Sequence, residues 1–186
     1  RDKVGLFATR TYLSYSKKGL SEKLLNNPFT FLQIINPDFN QKKILKGNQK
    51  FELIKKKYKS FLDQEIINKD KERAFYIYYL NHEGNKYKGI IASASTEEYE
   101  KGVIKKHEKT LKKREALFTE YLSKIKFNAD PVLLSYKSNK KINTLIDKLS
   151  NGRAEYEFTT SNKALHKLWI ISNSKDILDI QNEFKK

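Results

Sequence analysis

Residues 74–94 read AFYIYYLNHEGNKYKGIIASA, and this stretch decides how the chain folds. Two runs rich in aromatic and β-branched residues, Ala74–Leu80 and Tyr87–Ala94, flank the pentapeptide Asn81-His82-Glu83-Gly84-Asn85. Aromatic and β-branched side chains favour strands, and a short polar segment containing glycine favours a tight reversal between them. The pattern therefore predicts a β-hairpin.

Two long amphipathic helices are predicted, one before and one after this hairpin. Residues Phe51–Ile67 place apolar side chains at helical spacing, and the lysines of this segment lie largely on the opposite face. The second helix, Leu111–Lys126, has an apolar stripe made of Leu111, Leu117, Phe118, Tyr121, Leu122 and Ile125. We expect these stripes to be buried and the lysines to be solvated.

Shorter elements are predicted along the rest of the chain. Three helices are predicted at Ser21–Asn27, Lys141–Leu149 and Ser174–Phe184, the last with Ser174 as its N-cap. A fourth, short helix is predicted to begin at a capping box formed by Ser95 and Glu98 and to end at Gly102. The strands are Phe29–Asn36, Pro131–Tyr136, Glu155–Thr160 and Leu165–Ser172. Helices and strands are mixed without a regular βαβ alternation. We therefore expect an α+β fold, with helices packed on a mixed or antiparallel sheet around a single core, as one domain over residues 1–186.

Composition limits the class of protein. Hydrophobic residues make up 38% of the chain and aromatic residues 12%, which is enough apolar material to fold despite 32% of charged residues. Cysteine is absent, so disulfides, thiolate nucleophiles and cysteine-bound zinc are excluded, and a cytoplasmic location fits. No apolar run approaches the roughly 18 residues that a membrane helix needs, so we expect no membrane span. Methionine is absent and the chain starts at Arg1, so we expect it to be part of a longer protein.

The formal net charge of +16 allows two interpretations. Clustered cations bind nucleic acids by neutralising phosphates, which makes nucleic acid a candidate partner. Only five of the 38 basic residues are arginines, however, and arginine is the residue that reads phosphate and guanine bidentately. The simpler interpretation is that most lysines solvate the surface.

The segment Gly102–Arg114 has the most unusual local arrangement. Thr110 stands where an N-cap is expected, and the first turn of the following helix carries Lys112, Lys113 and Arg114. Cations at a helix N-terminus oppose the helix dipole, and a bound anion would reverse that cost. The pattern predicts a phosphate site formed by Thr110, Lys112 and Arg114, and the alternative is a solvated basic helix start.

His107 and Glu108 are the candidate catalytic pair. They combine a group that titrates near neutrality with a carboxylate, as general acid or base catalysis requires. A zincin-type metal site would need a second histidine four residues after His107, where Leu111 stands, and His82 and His166 are too scattered to indicate a metal. The sequence thus predicts no metal site, and it contains neither a glycine-rich phosphate loop nor a Gly-x-Ser-x-Gly motif.

The aromatic residues of the hairpin also allow two interpretations. Tyr76, Tyr78 and Tyr79, with Phe75 beside them, are compatible with a base-stacking platform on a sheet face. The simpler expectation is that they are strand residues packed against helices. Trp169 stands among leucine and isoleucine and is expected in the core.

Four blocks of the sequence together resemble the bacterial and archaeal domain-of-unknown-function 1015 family. The blocks are Asn27–Pro37 (NPFTFLQIINP), Gly102–Glu115 (GVIKKHEKTLKKRE), Asn128–Leu134 (NADPVLL) and His166–Trp169 (HKLW). They occur in the order expected for the family and span most of the chain. The resemblance marks His107, Glu108, Thr110 and Arg114 as site candidates, with Asn128 and His166 as further motif residues.

The resemblance also implies a function for the intact protein. Members of the family are about twice this length, and their second half carries an Asp-Gly-His-His-Arg motif similar to motifs of the ParB, sulfiredoxin and free-serine-kinase group. This chain then corresponds to the N-terminal half, and the C-terminal half is its first expected partner. We expect an enzyme that acts on a phosphorylated small molecule or nucleotide, in its most specific form a serine-type kinase using ATP or ADP with magnesium. The alternatives are a nucleic-acid-binding protein and a structural or regulatory half without its own activity.

Overall fold

The computed structural model describes residues 3–41, 45–107, 110–129 and 131–185. The chain divides into two compact units. The sheet unit consists of Arg1–Gly5, Asp70–Glu100 and Leu134–Lys186, and the helical unit consists of Leu6–Lys69 and Lys101–Leu133. The expectation that residues 1–186 form one domain stays a prediction.

The sheet unit contains a four-stranded antiparallel sheet. Its strands are β1 (Phe75–His82), β2 (Asn85–Ile91), β3 (Tyr156–Thr159) and β4 (Leu165–Ile171), in the spatial order β2-β1-β4-β3. The predicted hairpin is confirmed, and its turn has positive φ at both central residues, 52° at Glu83 and 80° at Gly84. Two consecutive positive φ angles give a turn whose twist matches that of the strands, and glycine adopts this region at no steric cost.

Helices cover one face of this sheet. The buried side chains of the unit's hydrophobic cluster come from β1, β4, α7 (Lys140–Leu149) and α8 (Ser174–Phe184). They are Ile77, Ile142, Ile146, Ile171 and Ile180, with Phe75, Ile90 and Trp169 packed against them. Because side chains alternate between the two faces of a strand, Tyr76 and Tyr78 lie on the opposite face. We call that opposite face the aromatic face.

The helical unit has its own hydrophobic cluster. Its elements are the 3-10 turn Tyr12–Ser14 and the helices α2 (Lys17–Asn26), α3 (Leu32–Ile35), α4 (Gly47–Asp63) and α6 (Lys112–Ile125). Ile34, Ile54, Phe61 and Ile125 are its buried members. Two short helices complete the chain, α1 (Val4–Phe7) and α5 (Thr96–Glu100). Each unit thus has a cluster of buried hydrophobic side chains among the described residues.

The predicted strand Phe29–Asn36 is wrong, because this segment contains helix α3. Two buried polar side chains hold it in a tight turn after α2. Asn27 donates from Nδ2 to the Leu6 carbonyl at 2.7 Å, and Gln33 donates from Nε2 to the Leu24 carbonyl at 2.6 Å and the Asn27 carbonyl at 3.2 Å. Buried backbone carbonyls need such partners. Side-chain hydrogen bonds therefore override the strand propensity of the segment.

Residues Pro131–Tyr136, predicted as a strand, form no strand either. Val132 is 80% exposed and Leu133 is 95% exposed, so these two apolar side chains are not buried as the predicted strand required. The apolar stripe of α6 is likewise buried only in part. Ile125 is 2% exposed, and Leu117 and Phe118 are more than half exposed.

Other boundaries agree with the sequence to within a few residues. Both long helices, the helices α7 and α8 and the strands β3 and β4 are confirmed. The Ser95 hydroxyl accepts a hydrogen bond from the Glu98 amide at 3.2 Å, as the capping box predicted. The N-cap of α8 is Asn173 instead of Ser174. The architecture is α+β, and no helix in the described part of the chain combines the length and apolar character needed to cross a bilayer.

Replacing Ile77 with alanine should lower the free energy of unfolding of the sheet unit by about 3 kcal/mol, because it opens a cavity under the central strand. Ile77 is fully buried, and its register partner on β4 is Trp169, the one tryptophan of the sequence. Urea unfolding followed by tryptophan fluorescence therefore reports on this unit.

Ile91→Ala is the matched control, since Ile91 lies on the neighbouring strand and is 42% exposed. It should cost less than about 1 kcal/mol. Equal losses in the two variants would contradict the assignment of Ile77 to the core.

Candidate functional site

The start of helix α6 carries the cationic residues that the sequence singled out. The N-cap is Leu111, and no side chain caps the helix. Lys112, Lys113 and Arg114 are all exposed, and Glu115 follows them in the first turn. The first backbone amides of a helix have no intrahelical acceptor, and uncapped amides at an exposed end are free to bind water or an anion.

The predicted N-cap role of Thr110 is wrong. Helix α6 begins at Lys112, so the capping position falls on Leu111 (φ −67°, ψ 120°). A cap accepts from the amides two or three residues after itself, and Thr110 stands one residue too early to do so. Thr110 is exposed and makes no side-chain hydrogen bond with the described residues, and its proposed contact with phosphate stays a prediction.

The structure describes only one member of the candidate catalytic pair. His107 is exposed, and it makes no hydrogen bond or ion pair with the part of the chain that the structure describes. Glu108 lies outside the described residues. Asn128 is exposed and follows α6 in the same unit. His107, Thr110, Lys112, Arg114 and Asn128 thus share the helical unit, whereas His166 belongs to the sheet unit.

His166 contacts two aromatic side chains of the sheet. It lies within β4, where its ring stacks on the Phe158 ring with centroids 4.7 Å apart and an interplanar angle of 7°. The Tyr78 hydroxyl lies 2.6 Å from His166 Nδ1. The β-sheet register explains this contact, because His166 is paired with Leu80 and therefore stands diagonally opposite Tyr78 on the aromatic face.

Burial favours the uncharged forms of both side chains. It lowers the pKa of His166 from 6.5, with a smaller contribution from the charge of nearby His82. Burial also raises the pKa of the Tyr78 hydroxyl above its ordinary value. A neutral imidazole accepts a hydrogen bond at one ring nitrogen, and a protonated phenol is able to donate it. The pairing is therefore chemically suited to the uncharged forms of both side chains.

The aromatic face carries no lysine, arginine or carboxylate side chain in its strands. Its members are Tyr76, Tyr78, Leu80, His82, Asn85, Tyr87, Gly89, Ile91, Tyr156, Phe158, His166, Leu168 and Ile170. None of them is fully buried, and Tyr87 is 59% exposed. At its edge the Tyr76 hydroxyl donates to Asp70, which raises the pKa of Tyr76 to about 12.

The alternation of side chains along β1 does not fit the predicted base-stacking platform. Tyr76 and Tyr78 share the aromatic face, whereas Phe75 and Tyr79 alternate to the helix-covered face, so the four residues do not form one platform. The sequence missed the partnership of Tyr78 with His166. Period-two alternation places Tyr76 and Tyr78 together, but the identity of their neighbour depends on the pairing of strands far apart in sequence.

No group of three or more histidine, aspartate or glutamate side chains in the described residues is arranged to hold a metal ion. His82 and His166 both lie on the aromatic face, but the nearest hydrogen-bonding neighbour of His82 is the Asn162 side chain, at 3.3 Å from Nε2. The candidate functional groups in the described residues are therefore the cationic side chains of α6 and the histidine and tyrosine side chains of the aromatic face.

Comparison with known families gives a match to the whole chain. The family model described as "Protein of unknown function (DUF1015)" matches residues 1–186. The chain belongs to this family. The resemblance found in its sequence blocks is confirmed, and the description of DUF1015 assigns no activity. No curated protein and no solved structure matches the chain.

The free energy of unfolding should fall as the pH is lowered through about 6.5, in part because of His166. Its pKa is lower in the folded chain than in the unfolded chain. Between the two pKa values the unfolded state binds the extra proton, so acid favours unfolding, and above both values this contribution vanishes. Urea unfolding at a series of pH values from about 7.5 to 5.5 measures the effect.

His166→Asn keeps an acceptor at the position of Nδ1 but does not titrate, so this variant should lose part of the acid sensitivity. An unchanged dependence of the unfolding free energy on pH in His166→Asn would contradict the assigned shift.

Proposed function

We propose that the protein is an enzyme acting on a phosphorylated small molecule or nucleotide, and that the start of α6 binds its phosphate. The observation that supports this function best is the uncapped, exposed helix start with Lys112, Lys113 and Arg114 in succession. Its position in one of the sequence blocks that resemble DUF1015 is a second support. The absence of cysteine is compatible with the cytoplasm as the place of action.

The electrostatics of this helix start favour an anion. Each cation in the first turn of a helix costs about 0.3–1 kcal/mol against the dipole, and Glu115 offsets only one of the three. A phosphate at this place would accept from the free amides and from the side chains of Lys112 and Arg114. The same charges that destabilise the empty helix start would then stabilise the occupied one.

The catalytic roles go to the residues just before the helix. Glu108 or His107 would accept the proton of an attacking hydroxyl group, while Lys112 and Arg114 neutralise charge on the transferred phosphoryl group. A small-molecule kinase that uses ATP or ADP with magnesium is the most specific form of the proposal. The C-terminal half that the family resemblance implies would supply the remaining groups.

Replacing both Lys112 and Arg114 with glutamine should raise the KM for ATP at least about tenfold, since two charge-assisted contacts to phosphate are lost. Glu108→Ala and His107→Ala should instead lower kcat, the true general base by about a hundredfold. The measurement is phosphoryl transfer from ATP or ADP to serine and related hydroxyl compounds by the intact protein.

The double variant Lys124→Gln/Lys126→Gln is the control, because it removes the same charge from the other end of α6. Activity that survives unchanged in both Glu108→Ala and His107→Ala would reject their catalytic roles. A KM that responds equally to the two double variants would reject a phosphate site at the helix start.

Nucleic-acid binding is the second candidate function, and the net charge of +16 favours it. Exposed lysines lie along α4, among them Lys55 and Lys59, and at the start of α6. Such cations would contact phosphates without reading bases. The aromatic face is less suited to this role, because the lysines of its strands lie on the opposite face of the sheet.

If the chain binds nucleic acid, its affinity for duplex or single-stranded DNA should fall steeply with salt, by about 0.9 in log K per log unit of salt for each duplex phosphate contacted. Fluorescence anisotropy of labelled DNA at a series of salt concentrations gives this slope. The absence of binding at about 50 mM salt would remove this function, since electrostatic contacts are strong there.

A further inference from the structure

The helical unit contains a surface pocket of about 520 Å³ between α2, the segment after α3, and α4. Its apolar lining includes Leu24, Phe39 and Leu53, and its polar lining includes Gln33, Lys56 and Lys57. A volume of this size lies within the range of about 300–1,000 Å³ that small-molecule sites have. Its residues differ from those assigned to the phosphate site at α6, so the two sites are independent.

Helix α4 presents two different stripes. Phe51, Ile54 and Phe61 are buried, and two of them belong to the hydrophobic cluster of the unit. Leu53, Lys56, Lys57 and Ser60 line the pocket at the spacing of a second helix face. Two of the lysines that the sequence assigned to a solvated surface therefore stand at the wall of a pocket.

Buried hydrogen bonds fix the opposite wall. Gln33 is 7% exposed, and its Nε2 donates to the carbonyls of Leu24 and Asn27, which are able only to accept. Asn27 is itself 8% exposed and donates to the Leu6 carbonyl. These bonds tie the end of α2 to α3, so the wall is held by the fold without help from a ligand.

The charge of the pocket has one sign. No acidic side chain lines it, and Lys56 and Lys57 form no ion pair with a described residue. The Lys57 ammonium lies 5.6 Å from the centroid of the Phe61 ring, so its neighbour is an aromatic face and not a carboxylate. Apolar walls beside two cations are complementary to a molecule that has an apolar body and an anionic head.

We propose that this pocket binds a small organic anion, with its apolar part against Leu24, Leu53 and Phe39 and its carboxylate or phosphate head at Lys56 and Lys57. The apolar contacts would supply affinity through the area removed from water. The two ammonium groups would select the charge of the head through charge-assisted hydrogen bonds.

Isothermal titration calorimetry of the purified chain with four eight-carbon probes tests this site. Octanoate and octyl phosphate should bind, whereas octylammonium and neutral octanol should bind at least about tenfold more weakly, because they lack the charge that the lysines select. In a Lys112→Gln/Arg114→Gln background, which removes the proposed phosphate site at α6, the ratio of the affinities for octanoate and octyl phosphate identifies the preferred head group. Acetate should bind weakly, since it has no apolar body.

The variants separate this pocket from the general positive charge of the protein. Lys56→Gln/Lys57→Gln should weaken octanoate binding about tenfold or more. Lys55→Gln/Lys59→Gln, the same change in charge on exposed residues of the same helix outside the pocket lining, should leave it within about twofold. Lys56→Glu/Lys57→Glu should reverse the preference, so that octylammonium binds better than octanoate.

Circular dichroism of each variant verifies that α4 is intact. Octanoate affinity that falls equally in the two glutamine variants would overturn the proposal, as would octanol binding as tightly as octanoate. The proposed phosphate site at α6 is tested with other residues, so either proposal is able to fail while the other stands.

Discussion

The need to pair every buried backbone group makes β1 the element on which the sheet unit depends. It is hydrogen-bonded to β2 on one side and to β4 on the other along nearly its whole length. A strand with two neighbours has no edge exposed to water, so its side chains divide strictly between two faces. Ile77 then lies under α7 and α8, and Tyr78 lies on the aromatic face beside His166. The pairing register of β1 with β4 therefore determines both the buried core around Ile77 and the contact between Tyr78 and His166.

The local sequence pattern predicted secondary structure correctly where a single short-range signal, such as a turn motif or a helical period, dominated. The hairpin followed from two β-prone runs around Glu83-Gly84, and α4 followed from its apolar period. The failures have particular physical causes. In Phe29–Asn36 the hydrogen bonds of Asn27 and Gln33 outweigh strand propensity, and these bonds join residues whose proximity depends on tertiary structure. In Pro131–Tyr136 the propensity is present, but the described residues offer no neighbouring strand to pair with.

In the candidate site, too, the sequence predicted the features that depend on neighbouring residues and missed those that depend on tertiary structure. The sequence identified the cations at the start of α6, because these residues are consecutive in the chain. It misplaced the cap by one residue, since composition does not determine the residue at which the helical backbone angles begin. It gave no sign that Tyr78 meets His166, or that Lys56 and Lys57 stand beside leucines of α2. Both arrangements require knowledge of which elements pack together.

Each unit is assembled from pieces of chain that are not adjacent in sequence. Asp70–Glu100 and Leu134–Lys186 of the sheet unit enclose a long piece of the helical unit, and Gly5 of the sheet unit would carry a Cβ only 3.7 Å from that of Phe158. No single cut in the polypeptide releases either unit whole. Any shortened gene that ends between Lys101 and Leu133 would encode β1 without β4. The backbone groups of β1 that pair with β4 would then have no hydrogen-bonding partner. Work on the separate units therefore requires circularly permuted or spliced chains in place of simple truncations.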